Sequence, residues 1–227
     1  MTVPASSSDG IVVDKMRFAF TGGPFELRIG SMEIRAGEHV AIVGPSGCGK
    51  TTLLELIAGI LVPDAGRVSA DGCDWETLDE ASRRRRRIER VGLVFQEFEP
   101  LPHLSVLENI VLPMHLVPSL ARGGETLELG RELARRAGLD DKLERHPGDL
   151  SQGERQRVAV CRAMVTRPSL ILADEPTGNL DVRTGEAVLD LLVEGARERG
   201  ATLLVVTHDP DQLGRFDRTI DLMEVRG

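Results

Sequence analysis

Apolar and polar residues alternate along "IVVDKMRFAF" (11–20) and "FELRIGSMEI" (25–34), which is the period of strands with one face buried. "EHVAIVG" (38–44) is a short, nearly continuous apolar run ending in glycine and reads as a fully buried strand. A helix follows in "KTTLLELIAGI", stopped by Pro63, then a strand and turn in "GRVSADG" (66–72) and a strand in "VGLVFQ" (91–96). From about 97 to 150 the texture becomes helical and loop-rich. Its clearest helix is "ETLELGRELARRAGL" (125–139), and Pro147-Gly148 breaks the chain after it. The helix "GERQRVAVCRAMVTR" is closed by Pro168. Next come a buried strand at 169–175, a helix at 184–199, a strand at 201–209 and a last strand at 218–225. Buried strands alternating with helices predict an α/β layered fold with a mostly parallel core sheet, interrupted by a helical insertion over 97–150. No internal repeat is evident.

Composition narrows the function. The chain has 227 residues and a net charge of -8, with 3% aromatic residues and no tyrosine. An acidic chain with few stacking rings is a poor nucleic-acid binder. The five arginines at 83–87 could form a patch for nucleic acid or lipid. With Asp79, Glu80 and Glu89 beside them, they read instead as the solvated face of a short helix leading into the strand at 91. Cys48, Cys73 and Cys161 fit neither a metal pattern nor a disulfide framework, which implies a reducing compartment. Residues 1–10 read as a disordered lead-in without the basic and apolar regions of a signal peptide. No apolar run reaches the roughly 18 residues of a membrane span, so any work at a membrane passes through a partner.

The strongest chemical signal is "GPSGCGKTT" (44–52), which fits G-x-x-x-x-G-K-[ST] between a buried strand and a helix. Gly44, Gly47 and Gly49, with Pro45, Ser46 and Cys48 between them, let backbone N–H groups wrap phosphates. Lys50 supplies a point charge to the terminal phosphates. Thr51 offers a hydroxyl to Mg²⁺, and Thr52 is expected to cap the first helical turn. "SLILADE" ends in Asp174 and Glu175 at a strand's carboxyl edge, expected beside the phosphate-loop strand. There Asp174 would hold the Mg²⁺ shell and Glu175 would polarise an attacking water.

A second anion-friendly element is "DLSQGERQR" (149–157). Ser151 and Glu154 have the S-x-x-E spacing of a capping box, and Gly153 lies in the first turn. A helix start of this kind directs free N–H groups and a positive dipole end outward.

With these motifs in this order, the chain resembles the nucleotide-binding subunit of ATP-binding-cassette (ABC) transporters over nearly its whole length. The resemblance implies one ABC-type P-loop ATPase domain over 11–227. It would combine a RecA-like core and an antiparallel β subdomain (11–96 and 169–227) with a helical subdomain (about 97–168). It implies that Gln96 is the Q-loop glutamine, touching Mg²⁺ and lying at the membrane-subunit contact. It makes "LSQGE" (150–154) the signature, Asp181 in "NLD" the D-loop acid, and His208 the switch histidine on the γ-phosphate. Ser151, Gln152, Gly153 and Glu154 would then face the nucleotide of a second copy. The sequence departs from the family by carrying Gln152 where glycine is usual and Glu154 where glutamine is common. The family's adenine-stacking tyrosine is missing, and Phe20 is its candidate replacement, with Phe25 second. "LADEPTGNLD" and "GERQRVAV" resemble the branch of lipoprotein-releasing, macrolide-export and cell-division ATPases.

Implied cofactors are ATP and Mg²⁺. Implied partners are a transmembrane permease and a second copy paired head to tail, without nucleic acid, at the cytoplasmic face of the inner membrane. A regulator acting on cell-wall enzymes through a transmembrane partner is the alternative. A soluble two-cassette protein of translation or repair fits less well, since one cassette and no heptad array are present.

Overall fold

In a computed structural model of the chain, described over residues 10–95, 100–117, 119–120 and 124–226, two sheets and seven helices form the fold. The expected lead-in (apart from Gly10) and Gln96 lie outside the described residues. β1 (Ile11–Ala19) and β2 (Glu26–Ile34) pair antiparallel from Ile11↔Ile34 to Ala19↔Glu26, so their alternating apolar residues share one face. β4 (Ala65–Ala70) pairs with β1, and the two-residue β5 (Cys73–Asp74) pairs with β4, giving the order β2-β1-β4-β5. The second sheet is parallel throughout. It contains β3 (His39–Val43), β6 (Val91–Val94), β7 (Leu170–Asp174), β8 (Thr202–Val206) and β9 (Arg218–Asp221) in the order β6-β7-β8-β3-β9.

This order corrects one expectation. β7 does not lie beside the phosphate-loop strand β3, because β8 is between them. Local patterning identifies buried strands but carries no information on which of them pair. β7 and β8 are buried on both faces. Leu170, Leu172, Leu204 and Val206 point into a core with α1 (Lys50–Ile57) and the antiparallel sheet. Ile171, Ala173, Leu203 and Val205 point into a second core with α3 (Val106–Leu116), α4 (Gly124–Arg136), α5 (Gln152–Met164) and α6 (Val182–Arg197). Helices on both faces explain why these strands read as continuous apolar runs.

Three further details differ from the sequence pattern or refine it. The segment around Pro113 is helical: α3 starts at a Ser105–Glu108 capping box and runs through the proline. The last strand is only half as long as expected. β9 stops at Asp221, whose carboxylate accepts from the Met223 amide and turns the chain into the short helix α7 (Leu222–Val225). The arginine run forms α2 (Glu80–Arg90), and its charges are used internally. Arg84 pairs with Glu80, Arg85 with Glu89, and Arg86 and Arg90 with Asp71, while Arg87 donates to the Gly59 carbonyl. Arg84 and Arg85 are exposed as a solvated face requires, whereas Arg83, Arg86 and Arg87 are partly buried. Among the described residues no helix is long and apolar enough to cross a membrane.

Candidate active site

β3, β7 and β8 all deliver residues to the carboxyl edge of the parallel sheet. The loop after β3 makes the first wall. Gly47 and Gly49 take φ values of 76° and 106°, the left-handed region that glycine enters without steric cost. At Gly49 a second reason applies: a Cβ there would come within 3.1 Å of Leu27 on β2 and of Phe25 just before it. Gly49 is also the N-cap of α1, and no side chain caps that helix. This corrects the role expected of Thr52, which is buried instead. An uncapped start leaves the first N–H groups of α1 for an anion.

Lys50 lies back over the loop, its Nζ donating to the carbonyls of Gly44 (2.8 Å) and Pro45 (3.0 Å). Two of its three donors thus fix the ammonium at the loop. The Thr51 hydroxyl donates to the Asp174 carboxylate at 2.5 Å. Burial, and then the adjacent Glu175 charge, push the Asp174 carboxyl above its ordinary range, while the Thr51 hydrogen bond and Lys50 oppose that shift. Glu175 follows with φ 44°, a left-handed conformation that costs a non-glycine residue roughly 1–3 kcal/mol. Its N–H donates to the Val206 carbonyl of β8 at 3.0 Å, and its Oε2 meets His208 Nδ1 at 3.2 Å.

These residues enclose a cleft of about 670 Å³ lined by Phe20, Phe25, Gly44, Ser46, Gly47, Gly49, Lys50, Thr51, Thr52, Asp174, Glu175 and His208. Phe20 is 46% exposed at its mouth, held edge-on by Phe18 with ring centroids 4.9 Å apart. Pro45 and Cys48 belong to the loop without lining the cleft, and the Cys48 side chain is buried in the core below.

Ser151, Gln152, Gly153, Glu154 and Asp181 lie outside this cleft. Ser151 is the exposed N-cap of α5 with a complete capping box: its amide donates to Glu154 at 2.7 Å and its hydroxyl accepts from the Glu154 amide at 3.3 Å. Gly153 is buried, and a Cβ there would fall 2.2 Å from Cγ2 of Thr184 on α6. Gln152 is exposed at the edge of a small cavity shared with Pro176 and Asn179 of the loop after β7. Asp181 caps α6, accepting from the Thr184 amide at 3.1 Å, and opens on a second cavity of about 420 Å³ behind Glu175 and His208. A polar network around Gln212 in that cavity went unnoticed in the sequence. Its members, Thr177, Thr207 and Asp209, stand within two residues of Glu175 or His208, which is the one signal that could have found them.

The chain matches the ABC transporter family over residues 27–178. It is 42% identical to the lipoprotein-releasing system ATP-binding protein LolD of Paramagnetospirillum magneticum, covering 96% of this chain and 97% of that relative. It is 43% identical to an uncharacterized ABC transporter ATP-binding protein of Mycobacterium tuberculosis over 85% of this chain and 77% of that one. Among solved structures, the ATP-binding cassette MJ0796, a dimer in a post-hydrolysis state bound to ADP and Pi, superposes with a TM-score of 0.82. That match has 34% identity and covers 93% of each chain. The family's members hydrolyse ATP, and the arrangement of loop, carboxylates and histidine on these three strands agrees with that chemistry. The chain belongs to the ABC transporter family of ATP-binding proteins.

Proposed function

We propose that the chain is the motor subunit of a lipoprotein-releasing type of transporter, working as a head-to-tail pair at the cytoplasmic face of a membrane and driving a permease partner. The observation that carries this reading is the convergence of Lys50, Thr51, Asp174, Glu175 and His208 in one cleft. The lipoprotein-releasing relatives and the dimeric cassette support the partner and the pairing. They give no support to the alternative regulator that moves no substrate.

The Thr51 hydroxyl and the Asp174 carboxylate are hard oxygen donors 2.5 Å apart, a set that suits Mg²⁺, which binds few protein oxygens and keeps water and phosphate in its other positions. Gln96 would add a further oxygen donor, as the family resemblance implies. The bound ion would neutralise charge on the phosphate chain. Lys50 and the N–H groups of the loop and α1 hold the phosphates, and Phe20 offers a ring face to the base. Glu175 orients the attacking water and accepts its proton, while His208 contacts the γ-phosphate. The work is positioning and electrostatics, as in phosphoryl transfer generally. Ser151 and Gly153 of the second copy complete the site, so ATP favours the closed pair and hydrolysis releases it.

The test is Glu175→Gln. It is expected to keep ATP binding, lose turnover by about 10²-fold or more, and trap a dimer visible by light scattering. Normal hydrolysis by this variant overturns the assignment of Glu175. Affinity capture of the trapped form from detergent-solubilised membranes should recover a permease.

A further inference from the structure

Glu175 and His208 stand on separate loops, after β7 and after β8, and meet at 3.2 Å. We propose that Gln212 is a positioning residue that locks these two loops together for hydrolysis. The inference rests on the roles given to Glu175 and His208 above and extends them to a residue outside the nucleotide cleft.

Gln212 lies in the 3-10 turn Pro210–Arg215, four residues beyond His208. Its Nε2 donates to Thr177 Oγ1 and to Asp209 Oδ2, both at 2.9 Å. Its Oε1 accepts from the Thr207 hydroxyl at 3.3 Å. Thr177 is two residues past Glu175, and Thr207 and Asp209 flank His208 on either side. One side-chain amide therefore spans both loops. An amide suits the position because it carries donors and an acceptor at one end. A methionine of similar length would fill the space and make none of these bonds.

Both members of the pair need such support. Glu175 has a strained φ that its surroundings must maintain. The His208 side chain is 66% exposed, so packing does little to fix it. The network is anchored to the sheet through Thr207, which is buried and donates its N–H to the Ile42 carbonyl of β3 at 3.2 Å. The Gln212 side chain bonds to Thr177, Thr207 and Asp209 and does not line the nucleotide cleft. Its loss should disturb the geometry of water and γ-phosphate and leave nucleotide binding alone.

The experiment compares Gln212→Met with the unaltered chain and with Glu175→Gln, measuring kcat, KM for ATP, ATP affinity without turnover, and thermal stability. Gln212→Met is expected to lower kcat about tenfold with ATP affinity within a factor of about two. Thr177→Val should lower kcat similarly, and the double variant should add little, because both break one network. Two results overturn the proposal: unchanged kcat in Gln212→Met, or kcat falling only in step with ATP affinity and stability, as a merely structural residue would give. Full activity in Glu175→Gln overturns the underlying reading and this inference with it. An inactive Glu175→Gln beside a fully active Gln212→Met overturns this inference alone.

Discussion

The Thr51 hydroxyl donates to the Asp174 carboxylate at 2.5 Å although the strands leading to them are separated by β8. The first turn of α1 thus reaches over the end of a third strand. That link joins the phosphate loop to the acidic end of β7.

Asp174→Asn keeps the shape of this contact and removes the charge. We expect Mg²⁺-dependent ATP turnover to fall by about 10²–10³-fold, with nucleotide binding in chelator retained. Thr51→Val should shift the Mg²⁺ dependence of turnover to higher concentration. A Mg²⁺ titration of ATPase activity in both variants checks this, and an unchanged titration curve excludes Asp174 and Thr51 as donors to the metal.

Gly153 tests the join between α5 and α6. Gly153→Ala puts a methyl 2.2 Å from Thr184 Cγ2, and overpacking of this sort costs about 1–3 kcal/mol. Thr184→Ser removes the opposing methyl and should restore most of the stability when combined with it. Urea unfolding of the two single variants and the double variant measures the coupling, and strictly additive effects would rule out the contact.

Ser151 has an observed capping role and a proposed nucleotide-facing one, which different substitutions separate. Ser151→Ala loses the cap and about 1 kcal/mol, read as a lower melting temperature. Ser151→Asp keeps a good cap and adds a negative charge where the proposed pairing brings phosphate. In the Glu175→Gln background it should leave the melting temperature near that of the parent and prevent the ATP-trapped dimer. Dimerisation at the parental level would leave Ser151 with capping as its only role.

His39 gives a pH dependence with a definite sign. It is buried in β3, and its backbone exchanges hydrogen bonds with Asp217. Burial, then the Arg197 charge, lower the imidazole pKa below its ordinary 6.5, with Asp217 opposing. The fold prefers the neutral ring, so an acidic solution protonates the unfolded chain first. Its contribution is complete above pH 6.5 and is lost as pH falls through the lowered folded value. The urea midpoint should drop between pH 7.5 and 5, and less steeply in His39→Leu.

The phosphate loop and the α5 capping box were legible in the sequence because each is local: three glycines at fixed spacing, and a serine three residues from a glutamate. Strand composition likewise exposed β3, β7 and β8. Their order was not legible, since β8 enters between the other two only through pairing along the sheet. Pro113 concealed α3, because a proline normally ends a helical pattern and here the chain runs through it. Asp221 concealed α7, because alternation continues past the point where one carboxylate turns the backbone. Proximity to Glu175 and His208 marked the members of the Gln212 network, but their pairing was not legible because Thr177 is 35 residues away in sequence.

The close approach of Gly153 to Thr184 has a consequence for how the two halves of a pair communicate. The starts of α5 and α6 meet there at a contact that only glycine allows. α5 begins after Ser151, which the pairing proposed above directs toward a neighbour's nucleotide. α6 begins after Asp181, six residues past Glu175 of its own copy. In that pairing, the contact would give the two nucleotide sites a direct route of coupling.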